Sequence, residues 1–341
     1  MKNRFVSKIL LAVGISCIMF TGCAKKEKSG GKSIAVFIPG IMAGSPIYAN
    51  LAKGVQEAIA AYNESSAESN KASATIFEAG TDQSLWSGKL TSIAAAGTYD
   101  VIISSNPALP ELCKPLTNQF PNQKFILLNA TCDGNKQIAA VNYNQKEQSY
   151  LTGYIAGLMS KTHKVGLIAA QEYPDMNNIL LPYYKKGAQD AFAGTFVDFR
   201  IVGNWYDASK GAQLTDAMCD AGVDVILPIC GNASQGVITS AKEHKIHLAW
   251  FDENGFSKAP GVIISCCMVK QDMAAQEATT NFILGTTEWG KTKTAGFADG
   301  YIDFIQDDPL YTQYVPEEVR TKLEALVAGY KSKSTAVPEL N

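Results

Sequence analysis

Short, continuously apolar runs alternate with helical segments along this chain, and the alternation occurs twice. Ser33-Ile-Ala-Val-Phe-Ile-Pro39, Ala74-Thr-Ile-Phe77, Tyr99-Asp-Val-Ile-Ile-Ser104 and Lys124-Phe-Ile-Leu-Leu-Asn129 read as strands, and the segments 47–63, 85–96 and 110–119 between them read as helices. A strand with no polar alternation has to be covered on both faces. Strand–helix–strand order supplies that cover, so the pattern predicts a parallel sheet with helices on both sides. From Val165 the pattern returns, with strands at 165–169, 196–202, 223–228 and 247–251 and helices at 180–193, 210–221 and 234–244. The two halves also echo each other in sequence. Ala96-Gly-Thr-Tyr-Asp-Val-Ile-Ile103 resembles Ala221-Gly-Val-Asp-Val-Ile-Leu227, and the next strands, Lys124-Phe-Ile-Leu-Leu128 and Lys245-Ile-His-Leu-Ala249, follow at nearly the same offset. The expected fold is α/β, with two doubly wound, Rossmann-like lobes. Such lobes bind ligands outside the carboxyl ends of their strands, here in a shared cleft.

Residues 144–161 join the halves. Tyr150, Leu151, Tyr154, Ile155 and Leu158 recur at helical spacing, and Gly153 and Gly157, four apart, allow another backbone to approach closely. Lys161 is expected in the last turn, where a cation suits the helix dipole. After a helix from Val269 to about Leu284, residues 294–305 alternate with period two and predict a hairpin around Asp299-Gly300. A last helix is expected at 316–330.

The amino terminus reads as an export signal. Lys2, Arg4 and Lys8 precede the apolar run Ile9 to Phe20, which is too short for a comfortable permanent span. Residues 1–22 are therefore read as a signal peptide. Phe20-Thr-Gly-Cys23 resembles a bacterial lipobox with Phe where Leu is commonest, making Cys23 the lipid attachment site and 23–32 a polar tether. The rest suits two domains, and a net charge of −2 without a basic stripe argues against nucleic acid. Cys113, Cys132, Cys219, Cys230, Cys266 and Cys267 form no C-x-x-C, and the three histidines are not grouped with them, so no metal site is expected. Most of these cysteines sit in or beside apolar strands and read as core thiols.

No G-x-S-x-G, H-E-x-x-H, P-loop or G-x-G-x-x-G is present, and no catalytic residues are assigned. The strand ends carry more information. The first strand leads into a glycine-rich loop and Ser45-Pro46, a helix start with Ser as cap and Pro in the first turn. Tyr48 follows at the cleft end. Asn129 ends another strand. Trp205 and Tyr206 are adjacent aromatics at a strand end, which are costly there unless something stacks on them. Gly231 and Asn232 open a small-residue loop whose N–H groups suit a polar ligand atom, with capping by Asn232 or Ser234 as the plainer reading. Asp252 ends a further strand, and Lys270 begins the returning helix.

Glu147, Ser149-Tyr-Leu-x-Gly153, Ala156-Gly-Leu-Met-Ser-Lys161 and Lys164-Val-Gly-Leu-Ile168 closely resemble the basic membrane protein family, the substrate-binding lipoproteins of ABC-type nucleoside importers. The loop from Gly231 to Gly236, the Asp252 strand end and Met268-Val-Lys270 match in order. The resemblance implies a type I periplasmic binding protein fold whose tail returns to the first lobe. The lobes are then 33–143 plus 270–341 and 162–269, with 144–161 as the crossover helix. It also implies a non-enzymatic, exported, lipid-anchored monomer that works with a permease and an ATPase and has no cofactor of its own. By position, Trp205 stands where nucleoside-binding members stack a Phe on the base, Asp252 and Lys270 match polar pocket residues, and Asn129 replaces an Asp. The family's Asp-x-Ser-Phe-Asn is here Gly44-Ser-Pro-Ile-Tyr48. Two acids are lost and aromatic surface is gained, with Trp86 a further candidate. This exchange favours riboflavin as the transported ligand, with a purine nucleoside as the alternative. An exported hydrolase and a surface adhesin are the readings of other classes.

Overall fold

The computed structural model describes residues 30–340. The expected signal peptide and Cys23 lie outside the described residues. The first half runs β1 (Ser33–Ile38), α1 (Pro46–Glu64), β2 (Ser73–Glu78), α2 (Trp86–Ala96), β3 (Val101–Ser105), α3 (Leu109–Gln119), β4 (Lys124–Leu128) and β5 (Ile138–Tyr143). Then come α4 (Gln145–Met159), β6 (Lys164–Ala169), α5 (Leu181–Ala191), β7 (Phe196–Ile201), α6 (Ala208–Asp220), β8 (Val225–Ile229), α7 (Ser234–His244), β9 (His247–Asp252) and β10 (Ile263–Val269). The tail is α8 (Gln271–Leu284), β11 (Thr292–Ala295), β12 (Ile302–Phe304), α9 (Pro309–Tyr314) and α10 (Glu317–Lys331).

Two six-stranded sheets result, in the orders β11-β5-β4-β3-β1-β2 and β12-β10-β9-β8-β6-β7. Apart from the edge strands β11 and β12 they have the same all-parallel topology, and the sequence echo maps onto it: the repeated segment leads into β3 in one sheet and β8 in the other. Its aspartates do equivalent work. Asp100 accepts the N–H of Ser33 at the start of β1 at 2.8 Å, and Asp224 accepts the N–H groups of Lys161 and Thr162 just before β6 at 2.7 and 3.0 Å. The central strands are buried on both faces, as their unbroken apolar runs require.

The chain crosses between the sheets at three places: from β5 into α4, from β10 into α8, and from β11 to β12. The third corrects the expected hairpin. β11 pairs with β5 parallel in the first sheet, while β12 pairs with β10 antiparallel in the second. Period-two alternation marks a strand but not its partner. The intervening turn is closed on itself, Gly296 N–H donating to Asp299 and Tyr301 N–H to the Gly296 carbonyl at 3.0 and 3.1 Å. The tail assignment changes with it: β12 belongs to the second sheet, α9 packs on β10, and α10 packs on α4, so only α8 and β11 return to the first lobe.

Helix α4 packs along α5 of the second lobe. A Cβ on Gly153 would lie 2.0 Å from the Tyr184 carbonyl oxygen, and one on Gly187 2.0 Å from that of Tyr150, so each helix uses glycine where the other's backbone passes. A π-helical turn, Met176–Leu180, precedes α5, so helical backbone starts earlier than the pattern suggests. Lys161 lies beyond the end of α4. Ser45 is the residue before α1, but its carbonyl, rather than its side chain, accepts the N–H groups of Tyr48 and Ala49.

Candidate functional site

The carboxyl ends of both sheets meet at one cleft. It is lined from the first lobe by 44–48, Ser105, Asn106, Pro107 and Asn129, and from the second by Trp205, Tyr206, 228–232, Ser234, Gln235, 250–253 and Lys258. The topology puts it there, because β1 and β3, and likewise β6 and β8, are neighbours whose connections leave in opposite directions.

On the first lobe, Tyr48 is buried. Its hydroxyl donates to the Pro39 carbonyl at 3.1 Å and accepts from Asn106 Nδ2 at 3.2 Å. Burial pushes its pKa well up, so it stays neutral. Asn106 was not singled out from sequence; the available signal was that it follows an apolar strand, as Asn129 does. Asn129 has a left-handed backbone, φ 52°, and its Oδ1 accepts from Gln145 Nε2 at 3.1 Å.

Asp252 is the counterpart of Asn129 at the end of β9, and it too is left-handed, φ 71°. Asn and Asp are the non-glycine residues that best tolerate this conformation, which redirects the side chain relative to the strand. The surface Asp252 keeps open faces the cleft rather than bulk water. Burial therefore raises its pKa to about 6, partly offset by Gln148 Nε2 at 3.5 Å. The hydroxyls of Tyr143 and Tyr173 are pushed up as well, first by burial and then by the charge of Asp252.

The loop after β7 presents Trp205 and Tyr206. Asn204 Oδ1 accepts the N–H groups of Tyr206 and Asp207 at 2.8 and 2.9 Å, and Asp207 caps α6 through Lys210 N–H at 2.8 Å. Trp205 leans on Tyr173, ring centres 6.4 Å apart, and is seated over Gly231, where a Cβ would come within 3.3 Å of the indole. Tyr206 reaches across the cleft. Its hydroxyl rests on Gly40. Asn232 likewise approaches Gly44, and neither Asn232 nor Ser234 caps α7 with its side chain. Lys258 pairs with Glu253 at 3.2 Å.

Eight of the nine expected ligand residues line the cleft: Ser45, Tyr48, Asn129, Trp205, Tyr206, Gly231, Asn232 and Asp252. Lys270 does not. It stands where β10 passes into α8, and its N–H donates to the Tyr301 carbonyl at 2.8 Å, tying together the second and third crossings. Trp86 is also outside; its indole N–H is bound to the Gly80 carbonyl at 2.9 Å. Sequence reasoning missed Trp250 and Glu253, which flank residues of the Asp252 strand end.

The lining is polar but undersupplied with partners. Ser105 Oγ, Trp205 Nε1 and Trp250 Nε1 are buried without a hydrogen bond among the described residues, as is Gln145 Oε1 behind Asn129. Such groups are costly unless something satisfies them, so the cleft fits a ligand with both π-surface and hydrogen-bonding edges. It contains no histidine, and burial pushes the Cys230 thiol up to about 12, away from nucleophilic use. The six cysteines among the described residues are free, and five are buried. Among the described residues no group of His, Cys, Asp and Glu could hold a metal ion, and no helix is long and apolar enough to cross a membrane.

Comparison with known proteins gives a consistent picture. The family model described as ABC transporter substrate-binding protein PnrA-like matches residues 31–335. Basic membrane protein A2 of Borrelia garinii subsp. bavariensis is 22% identical over 98% of this chain and 96% of that protein. The ABC transporter nucleoside-binding protein BmpA of Lactococcus lactis subsp. cremoris is 25% identical over 42% of this chain and 41% of its own length. A CD4+ T-cell-stimulating antigen of Listeria monocytogenes is 26% identical, and the matched part spans 42% of that protein's length. Among solved structures, a solute-binding protein of an ABC transporter system from Aeropyrum pernix superposes with a TM-score of 0.69 at 18% identity, covering 90% of this chain and 94% of that one. A transcriptional activator from Bacillus halodurans superposes at 0.68 and 19% identity, covering 89% and 99%. At these identities the superpositions establish the shared two-lobed fold.

Proposed function

This chain belongs to the Bmp family of ABC transporter substrate-binding proteins, and we propose that its own ligand is riboflavin, held in the interlobe cleft and passed to a permease. The observation that carries this reading is the makeup of the first lobe's rim. Gly44, Tyr48 and Asn129 stand where nucleoside-binding members are expected to place polar or acidic groups, and Trp205 and Trp250 add indole surface opposite them. Asp252 is then the one cleft carboxylate without a cationic partner, because Glu253 is paired with Lys258. One acceptor of that kind suits the imide N–H of a flavin. A ribityl chain would find the unpartnered Ser105 hydroxyl and the Asn106 and Asn129 amides.

The second reading is a purine nucleoside. The Lactococcus relative, named as nucleoside-binding, favours it. The protein would act as an exported, lipid-anchored monomer, with the permease and its ATPase as partners and no chemistry at the cleft.

The test is the absorbance spectrum of the protein as purified, followed by mass spectrometry of what denaturation releases. Flavin bands and released riboflavin are the expected result. A colourless protein releasing a nucleoside would replace the first reading with the second.

A further inference from the structure

The space between the lobes is about 130 Å3, well below the roughly 300 Å3 at which small-molecule pockets begin. Trp205 and Tyr206 close it: both belong to the second lobe, yet both pack against the apolar cluster formed by the first. Tyr206 goes furthest. A Cβ on Gly40 would lie 2.0 Å from the Tyr206 hydroxyl oxygen, 3.3 Å from its Cζ and 3.1 Å from Cε2 of Tyr48. Gly40 also has φ 150°, a conformation that L side chains rarely adopt. The first lobe thus offers a side-chain-free seat, walled by Tyr48, into which the second lobe inserts a phenol. Tyr48 is held in place by Pro39 and Asn106.

We infer that Tyr206 and Gly40 form the closure latch of the binding cycle, so that Tyr206 is a positioning residue setting the open–closed balance rather than a ring stacked on ligand. This rests on the reading of the cleft as a ligand-capture site, but not on which ligand it takes. Ligand enters when the lobes rotate at their crossings and withdraw Tyr206 from its seat. Closure returns the phenol to Gly40 and brings Trp205 with it, since the two residues share one loop. Affinity then scales with the fraction of molecules able to close.

The experiment compares wild type, Gly40→Ala, Tyr206→Ala, Tyr206→Phe and the Gly40→Ala/Tyr206→Ala double variant. Each is measured by small-angle X-ray scattering without ligand and by titration with riboflavin and with inosine. Gly40→Ala is expected to enlarge the radius of gyration and weaken binding roughly tenfold, and Tyr206→Phe to weaken it by roughly threefold. In the Tyr206→Ala background, Gly40→Ala should have a much smaller effect, because the phenol it would meet is gone and only the backbone strain and the tight approach to Tyr48 remain. An equal effect of Gly40→Ala in both backgrounds, pointing to backbone strain alone, or an unchanged radius of gyration in Gly40→Ala and Tyr206→Ala, would overturn the latch. Binding of neither probe, with the scattering changes intact, would leave the latch standing and remove the ligand assignment.

Discussion

Two residues with left-handed backbones, Asn129 and Asp252, end equivalent strands of the two lobes, and the difference between them is one of charge. Asn129 is neutral and hydrogen-bonded to Gln145. Asp252 titrates near 6 because desolvation disfavours its anion. A carboxyl whose pKa is higher folded than unfolded favours folding at low pH, and that contribution is lost as pH rises from about 4 through about 6. Asp252→Asn should therefore raise the melting temperature at pH 7, by an amount reflecting at most about 3 kcal/mol, and leave it nearly unchanged at pH 4. The same substitution should weaken ligand binding, which identifies the strain as functional. A lower melting temperature at pH 7 would contradict the assignment. Trp205→Ala should cost about 1–3 kcal/mol of binding free energy, the usual worth of stacking on an aromatic side chain, as read by titration calorimetry. Eight cleft residues were legible in the sequence because they stand where apolar runs end or in the loops that follow them. Lys270 has the same signature, yet its backbone ties the crossings together; sequence position marks a strand end without saying which way the side chain leaves it.

Helix α4 shows what glycine spacing can and cannot reveal. Gly153 and Gly157 predict a close backbone neighbour, and α5 is that neighbour, with Gly187 answering from its side. Gly153→Ala would drive a methyl group into the Tyr184 carbonyl, so a loss of about 2–3 kcal/mol is expected in denaturant unfolding, with the slope unchanged. Gly88→Ala is the control: an added Cβ there meets nothing, and alanine is the better helix former. The identity of the neighbour was not in the local pattern. Nor was the fate of β11 and β12, because strand pairing is decided by what the rest of the chain has already assembled. The paired aspartates Asp100 and Asp224 were visible only as part of an echo, although they anchor equivalent strand starts.

At the scale of the whole molecule, three short crossings connect two lobes whose five-stranded parallel cores share one topology, and one carboxylate braces two of the crossings. Glu147, at the start of α4, accepts the Phe297 N–H of the β11–β12 connection at 3.0 Å, and Gly296 is glycine where a Cβ would come within 2.5 Å of that carboxylate. Glu147→Ala should loosen the hinge, giving faster amide exchange at 296–301 with little change in the strands. Doubling of topology was legible because each half repeats the same order of apolar runs. The degree of closure was not, because it depends on Tyr206 meeting Gly40 across more than 160 intervening residues. We propose an aromatic cleft, closed by Tyr206, that prefers a flavin to a nucleoside. Its most direct test is an equilibrium titration of protein first freed of bound ligand, following both tryptophan emission and flavin fluorescence. The account predicts saturable quenching by riboflavin at one site, lost in Trp205→Ala, with inosine failing to compete. Tight inosine binding without quenching of flavin fluorescence would contradict it.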